Sequence, residues 1–198
     1  RRAFGDLPGT ASFLNVACGI GQCLRILPTL GYADVRGVES TSEMVAIANN
    51  AHLQVVQLDF EIDEWPKDQP SSFDAAFAFG FIDAVPLQRA EVALQKMLAL
   101  AAKRVFVSVR LHDCDVEGML PEHAGGTTAV VFRHQYTQES FLMLAKASCP
   151  STWRIKWWCI TDPKSQAWIC VLFYHESGGV PEPDKSDLLK YDTGSGCH

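Results

Sequence analysis

The chain has no apolar run approaching the eighteen or more residues that a membrane-spanning helix needs, and no secretory leader pattern opens it. From its start at Arg1 in place of Met, a processed or shortened product is the expectation. Paired cysteine motifs are also missing. Cys18, Cys23, Cys114, Cys149, Cys159, Cys170 and Cys197 form an odd, scattered set with no CxxC pair, which argues against a disulfide framework and a thiolate zinc site. Reduced thiols in an intracellular compartment, cytoplasmic or organellar, are the expectation. No cluster of His, Cys and carboxylate residues has metal-ligand spacing, so no metal is expected. Positive charge is in short supply: 17 Lys and Arg face 23 Asp and Glu, for a formal charge of −6. Arg1, Arg2, Lys103, Arg104, Arg110, Arg154 and Lys156 are dispersed, so a nucleic-acid partner is not expected.

What is present is enough apolar residue for one core. At 198 residues and 47% hydrophobic, the chain suits one α/β domain over residues 1–176, with a polar, flexible tail over 177–198 rich in Gly, Pro, Asp, Ser and Lys. The most informative stretch is 13–48. An apolar run, 13–17, stops at Cys18, Gly19, Ile20 and Gly21, where absent side chains let a ligand approach the backbone. A helix over 22–30 would then start beneath that ligand, its free amides favouring an electron-rich group, and Gly31 would stop it. A second buried strand over 34–38 ends in Glu39, 20 residues beyond Gly19, where a carboxylate can accept from both hydroxyls of a ribose. Ser40 and Glu43 fit a capping box for the next helix. A third strand, 53–58, ends in Asp59 and Phe60, a carboxylate to hydrogen-bond a base and a ring to pack against it. A nucleoside is the implied ligand. Cys18 stands at a helix N-terminus, where a thiol can acquire a lowered pKa, although a small residue fitting the turn is the simpler role.

With the blocks FLNVACGIGQCLRIL, VRGVESTSEMVAIA, VVQLDFEIDEWP and SSFDAAFAFGFI in this order, the chain resembles the class I S-adenosylmethionine-dependent methyltransferases over most of its length, roughly 13–175. The resemblance implies a Rossmann-like, seven-stranded, mostly parallel sheet with an antiparallel C-terminal hairpin strand and helices on both faces. It also implies S-adenosylmethionine as the methyl donor. Ala17, Cys18 and Gly19 would line the methionine moiety, Glu39 and Ser40 the ribose, and Asp59 with Phe60 the adenine. Phe79 and Gly80 would pass beside the donor toward the acceptor. Two departures stand out. Asn15 occupies a position where the family usually has a carboxylate that contacts the methionine end, and Ala17 replaces the first loop glycine.

The rest of the chain supplies further elements. A strand over 73–81, a helix over 87–102 with apolar spacing through Ala90, Ala93, Leu94, Met97, Leu98 and Ala101, and a buried strand over 105–109 are expected. A polar segment, 111–128, reads as a substrate loop or lid. Thr137 caps a helix over 138–147, and 153–160 with 167–175 form a hairpin turning at Asp162, Pro163 and Lys164. An ordinary dinucleotide dehydrogenase would not end in such a hairpin.

Methyl transfer asks little of side chains beyond positioning, water exclusion and a base where the nucleophile must lose a proton. His112 and Asp83 are the catalytic candidates, with Asp113, His134 and Tyr136 behind them, all expected at the carboxyl edge of the sheet. The NPPY-type motif of amino-directed nucleic-acid methyltransferases is absent, which favours a small-molecule acceptor. Only twelve residues precede the first strand's apolar run, so a protein partner or a second copy is a candidate cover for that side. The alternative function is a catalytically silent structural or partner-binding subunit that keeps the fold, motivated by Asn15 and the short N-terminal side.

Overall fold

The computed structural model describes residues 3–124, 127–161 and 166–175. The expected turn at Asp162, Pro163 and Lys164 and the tail 177–198 lie outside the described residues. The elements run β1 (Ser12–Val16), α1 (Gln22–Thr29), β2 (Asp34–Glu39), α2 (Ser42–Asn50), β3 (Val55–Gln57), β4 (Phe73–Phe79), a 3-10 turn (Ile82–Ala84), α3 (Leu87–Leu100), β5 (Ala101–Arg110), β6 (Val116–Ala124), β7 (Thr127–Gln135), α4 (Gln138–Ser148), β8 (Trp153–Thr161) and β9 (Ala167–His175). Seven strands make one sheet in the order β3-β2-β1-β4-β5-β9-β8. Pairing is parallel from β3 across to β5, and β9 is antiparallel to both neighbours. This is the expected sheet, hairpin strand included. Among the described residues no helix is long and apolar enough to cross a membrane.

Strands covered on both faces must be apolar on both, and β5 shows the consequence. Val105, Val107 and Val109 join one buried cluster with α3 and α4, while Phe106 joins the other with Leu24 of α1 and Val45 and Ala48 of α2. Alternation of side chains along the pleat thus feeds two cores from one strand. Helix α1 ends as its glycine requires. Gly31, at φ 96°, donates to Pro28 O at 3.0 Å, and Tyr32 N donates to Leu27 O at 3.2 Å, the paired closure of a Schellman turn. Thr137 Oγ1 accepts from Ser140 N at 3.1 Å, so α4 has the cap expected of it.

Four expectations change. Residues 111–128 are not a loop: most of them form β6 and part of β7, a two-stranded antiparallel arm with Val116 opposite Gln135 and Leu120 opposite Val131. Apolar alternation is weak there because the arm leaves Met119 and Val130 exposed, and Gly118 and Pro121 within β6 are residues that depress strand propensity. Helix α3 stops at Leu100 and β5 begins at Ala101 without a connecting loop, since pairing of Ala101 with Phe73 overrides the helix preference of two alanines. The strand after α2 is only Val55–Gln57. No capping box forms at Ser40, because the cap of α2 is Thr41, whose amide donates to Glu39 Oε1 instead.

The residues before β1 lie on the α1 face. Phe4 sets its ring against Phe13, Phe77 and Phe106, and Tyr32 Oη donates to Phe4 O at 2.7 Å. Arg104, only 1% exposed, reaches up from β5 to donate to Ala3 O at 2.8 Å and to both carboxylate oxygens of Asp6. A guanidinium is tolerable at that depth because its fork is matched by a carboxylate.

Candidate functional site

Every parallel strand ends on one edge, and the glycine loop sits there above β1. Cys18 N donates to Val38 O at 3.0 Å and Gly21 N to Cys18 O at 3.0 Å, which curls the chain into the start of α1. The curl needs left-handed backbone at Ala17 (φ 51°), Gly19 (φ 56°) and Gly21 (φ 81°). Ala17 takes that conformation with a side chain that disfavours it. At Gly19 a side chain would meet only Met44 Sδ, at 3.9 Å, so the space over its backbone is open. Gly37 of β2 is a contributor that sequence reasoning missed. A Cβ there would lie 2.6 Å from Cys18 Sγ and 3.1 Å from Cys18 Cβ, so the loop nests on the strand only because the side chain is absent. Its signal was a glycine in the interior of a strand, between Arg36 and Val38.

Glu39 is the hinge pin of this corner. Oε2 accepts from Gly19 N at 2.9 Å and Oε1 from Thr41 N at 2.9 Å, with Ser40 Oγ at 3.5 Å from Oε1. Oε2 keeps a second lone pair for a ligand hydroxyl, and the long bond from Ser40 Oγ to Oε1 can give way to another. Cys18 is not an activated thiol: burial, with Glu39 adding to it, pushes it up to about 12. Asn15 is 3% exposed beneath the loop, and its Nδ2 donates to Val16 O at 3.3 Å and Phe77 O at 3.4 Å.

At the next strand end, Asp59 N donates to Asp63 Oδ2 at 2.9 Å, and Asp59 O accepts from Ile62 N and Asp63 N in a turn. Phe60 departs from its expected use. Its ring is in the core, edge-on to Trp65 and Phe81 with Lys96 Nζ 4.8 Å from its centroid, so it offers no open face to a base. Phe79 is the reverse case, 49% exposed and resting on Phe77 and Phe106.

Asp83 and His112 come together across the ends of β4 and β5. Both line a cavity of about 50 Å³ closed by Arg110, Leu120, Arg133 and His134. Asp83 is 8% exposed, and its Oδ1 has no hydrogen-bond partner, nor do Arg110 Nε and Tyr136 Oη. Burial raises the Asp83 carboxyl pKa, offset in part by Arg133, Arg110 and His112. Burial, then Arg110, lowers that of His112 below the ordinary imidazole value of 6.5. Asp113 is exposed and does not line the cavity. His134 stacks on Tyr136 at 4.1 Å, and its Nδ1 lies 2.8 Å from Glu117 Oε2. Arg110, Arg133 and Glu117 were not singled out from sequence. Glu117 sits in the segment expected to be a loop, and Arg133 on the strand paired with it.

A larger cavity, about 960 Å³, lies on the α1 face between Phe4, Tyr32, Phe79, Phe106, Trp158 and Trp168. It is largely aromatic and apolar, whereas Asp83, Arg110, His112, Arg133 and His134 gather at the smaller one. Arg110 stands at the junction: its guanidinium carbon is 5.5 Å from the Trp168 ring centroid, and the residue also lines the smaller cavity. Among the described residues no three His, Cys, Asp or Glu side chains gather as a metal site.

Residues 13–103 match the family described as "Methyltransferase domain". No curated protein matches the chain. Among solved structures, magnesium protoporphyrin IX methyltransferase from Synechocystis, with bound SAM, is 14% identical, with 88% of this chain and 74% of that chain covered and a TM-score of 0.59. CalS10, an amino pentose methyltransferase from Micromonospora echinaspora, is also 14% identical, with 86% of each chain covered and a TM-score of 0.64. The [4+2]-cyclase SpnF has the same identity, with 85% and 76% covered and a TM-score of 0.64. The fold is therefore shared by proteins of different chemistry.

Proposed function

We propose, for a chain that belongs through residues 13–103 to the class I S-adenosylmethionine-dependent methyltransferase family, that it transfers a methyl group from S-adenosylmethionine to a small organic acceptor. The observation that carries this reading is the corner built by Gly19 and Glu39. An open left-handed glycine backbone lies beside a carboxylate that is already oriented by two backbone amides and still has lone pairs for a ribose diol. The residues present fit the donor. Ala17, Cys18 and Gly19 would border its methionine end above Asn15, Glu39 and Ser40 its ribose, and Asp59 with the Phe60 main chain its adenine, leaving Phe79 between donor and acceptor.

When bound, S-adenosylmethionine supplies a methyl group already activated by its sulfonium. The chain's own part is to align the acceptor, keep water out and take up the proton the acceptor loses. His112 is the base in this reading, because its lowered pKa leaves the imidazole neutral and able to accept at neutral pH. Asp83, beside it, orients the acceptor. The aromatic cavity next to Phe79 suits the apolar body of a small molecule better than a polyanion.

Titration with S-adenosylhomocysteine tests the donor site: the ligand should raise the melting temperature by mass action. No binding at millimolar ligand would overturn the reading in favour of a silent or repurposed scaffold, a fate the cyclase with this fold illustrates. Where turnover is measured, the acid limb of kcat/KM should fall below pH 6.5, since a base with a lowered pKa loses activity only when it is protonated. A limb above 6.5 would remove His112 from the role.

A further inference from the structure

We propose that the large cavity on the α1 face holds the uncharged, multi-ring aromatic body of the methyl acceptor, with Ser108 Oγ hydrogen-bonded to one of its polar substituents as the specificity-determining contact. The inference rests on the methyltransferase reading for the word acceptor, and on the cavity itself for the chemistry.

The pleat of β5 aims Ser108 at this space. Val107 and Val109 join the core under α3 and α4, so Phe106 and Ser108 face the other way, and both line the cavity. Ser108 is only 5% exposed. Its hydroxyl has no hydrogen-bond partner among the described residues, yet its oxygen is not sealed from solvent, so the missing partner must come from the cavity. The other hydroxyl in the wall is already spent, since Tyr32 Oη donates to Phe4 O at 2.7 Å. A purely apolar cover, such as a helix face laid on the same wall, would bury the Ser108 oxygen unpaired, whereas a ligand with a polar substituent at that point does not.

Charge and shape then narrow the ligand. Among the described residues no Asp, Glu, Lys, Arg or His lines the cavity. Its two thiols, Cys23 and Cys170, are pushed up by burial, Cys170 to about 12, and stay neutral. Of the guanidiniums outside it, Arg104 is held by Asp6 and Arg110 lies over the Trp168 ring. An ionised body would give up its hydration for no counter-charge, so the fitting body is uncharged. The ring centroids of Phe79 and Phe106 are 5.5 Å apart and those of Phe106 and Trp158 5.8 Å, a ring-lined floor that suits a flat aromatic molecule. A volume of about 960 Å³ is more than one ring fills, and it lies toward the upper end of the roughly 300–1,000 Å³ of pockets for drug-sized ligands.

Position ties Ser108 to the methyl-transfer edge. It stands beside Phe79 on one side and Cys170 on the other in the sheet, and its carbonyl accepts from Gly80 N at 3.0 Å. The anchoring hydroxyl is therefore next to the residue that lies between donor and acceptor in the methyltransferase reading. A body seated on the rings of the cavity is held with a polar substituent at that edge.

The probe is 2-naphthol, with naphthalene (no polar substituent), 2-naphthoate (charged) and phenol (one ring) as its controls, titrated into the full chain without any adenosyl ligand. Occupancy is read from the indole N–H signals of Trp158 and Trp168 in nitrogen-edited NMR, identified by their loss in Trp158→Phe and Trp168→Phe. 2-Naphthol should shift both saturably and leave those of Trp65 and Trp153, in the opposite core, unmoved. 2-Naphthoate should bind at least about tenfold more weakly, and phenol more weakly as well. Ser108→Ala, with no hydrogen bond inside the chain to lose, should cut the affinity ratio of 2-naphthol to naphthalene by about threefold to tenfold. An unchanged ratio in that variant would overturn the proposal, as would 2-naphthoate or phenol binding like 2-naphthol. So would the absence of any saturable shift, the result expected if a second copy or another protein segment covers the wall. Affinity for S-adenosylhomocysteine is measured separately. A chain that binds it but not 2-naphthol keeps the methyltransferase reading and sinks this one. A chain that binds only 2-naphthol keeps the aromatic site and sinks its role as the acceptor's.

Discussion

The two ends of the sheet's carboxyl edge solve opposite problems. Over β1 and β2, Glu39, Gly19 and Thr41 satisfy one another, and the corner is complete before any ligand arrives. Over β4 and β5, Asp83 Oδ1, Arg110 Nε and Tyr136 Oη are buried with no partner. The first arrangement stores its order in the folded backbone. The second leaves hydrogen-bonding capacity unspent, at an expense of about 1–3 kcal/mol for each unsatisfied buried group. A general donor can be met by a finished site, whereas a particular acceptor is recognised by what the protein has left unpaired.

The hardest test of that contrast is Asn15→Asp, which restores the family's usual carboxylate. A resemblance to the family alone argues for tighter donor binding. The structure argues otherwise, because Asn15 Nδ2 donates to two carbonyls that a carboxylate could only repel. Stability should fall by about 3 kcal/mol in denaturant titration; a neutral or stabilising result would show that this corner is less finished than described. Next in size is Glu39→Ala. Loss of charge-assisted bonds to a ribose should weaken S-adenosylhomocysteine binding by about 1.5–3 kcal/mol, roughly tenfold to a hundredfold, and calorimetry showing unchanged affinity would remove Glu39 from the site.

Asp83→Asn should act in the other direction and stabilise the free protein by about 1 kcal/mol at pH 7, since it removes a buried charge with an unpaired oxygen. The pH dependence has a definite sign. A carboxyl whose folded pKa is raised takes stability away above that pKa, and its effect vanishes below the unfolded value of 3.8. The gap between variant and parent should therefore close on acidification. A gap that widens would mean that the guanidiniums hold Asp83 more firmly than burial opposes it. The smallest effect is expected for Ala17→Gly, about 0.5 kcal/mol of stabilisation. Relief of left-handed strain at φ 51° should slightly exceed the added flexibility of glycine in the unfolded chain. A clear loss of stability would show that the Ala17 methyl packs usefully.

The same contrast explains what was legible in the sequence. The strand, loop, helix, strand and acid of 12–39 are contiguous, so their order and spacing carry the donor corner, and the C-terminal strands declared themselves by long buried apolar runs. Asp83 and His112 were readable as strand-end residues, but their company was not. Arg110 looks like the polar end of a strand, and Arg133, His134 and Glu117 belong to an arm whose exposed faces erase the apolar alternation that marks strands. Phe60 was legible as a residue at the edge and misleading as a ring, because Trp65 and Phe81, which enclose it, are a matter of tertiary packing.

The Arg104–Asp6 pair has a consequence for how the chain comes to be folded. Its members are 98 residues apart, so the opening segment has nothing to clasp until β5 has been laid beside β4. Closing so long a span is entropically steep unless the intervening sheet is already ordered. During vectorial synthesis the segment around Asp6 leaves the ribosome well before Arg104, yet it is among the last to be fastened, and Arg104 acts as a latch on a sheet assembled without it.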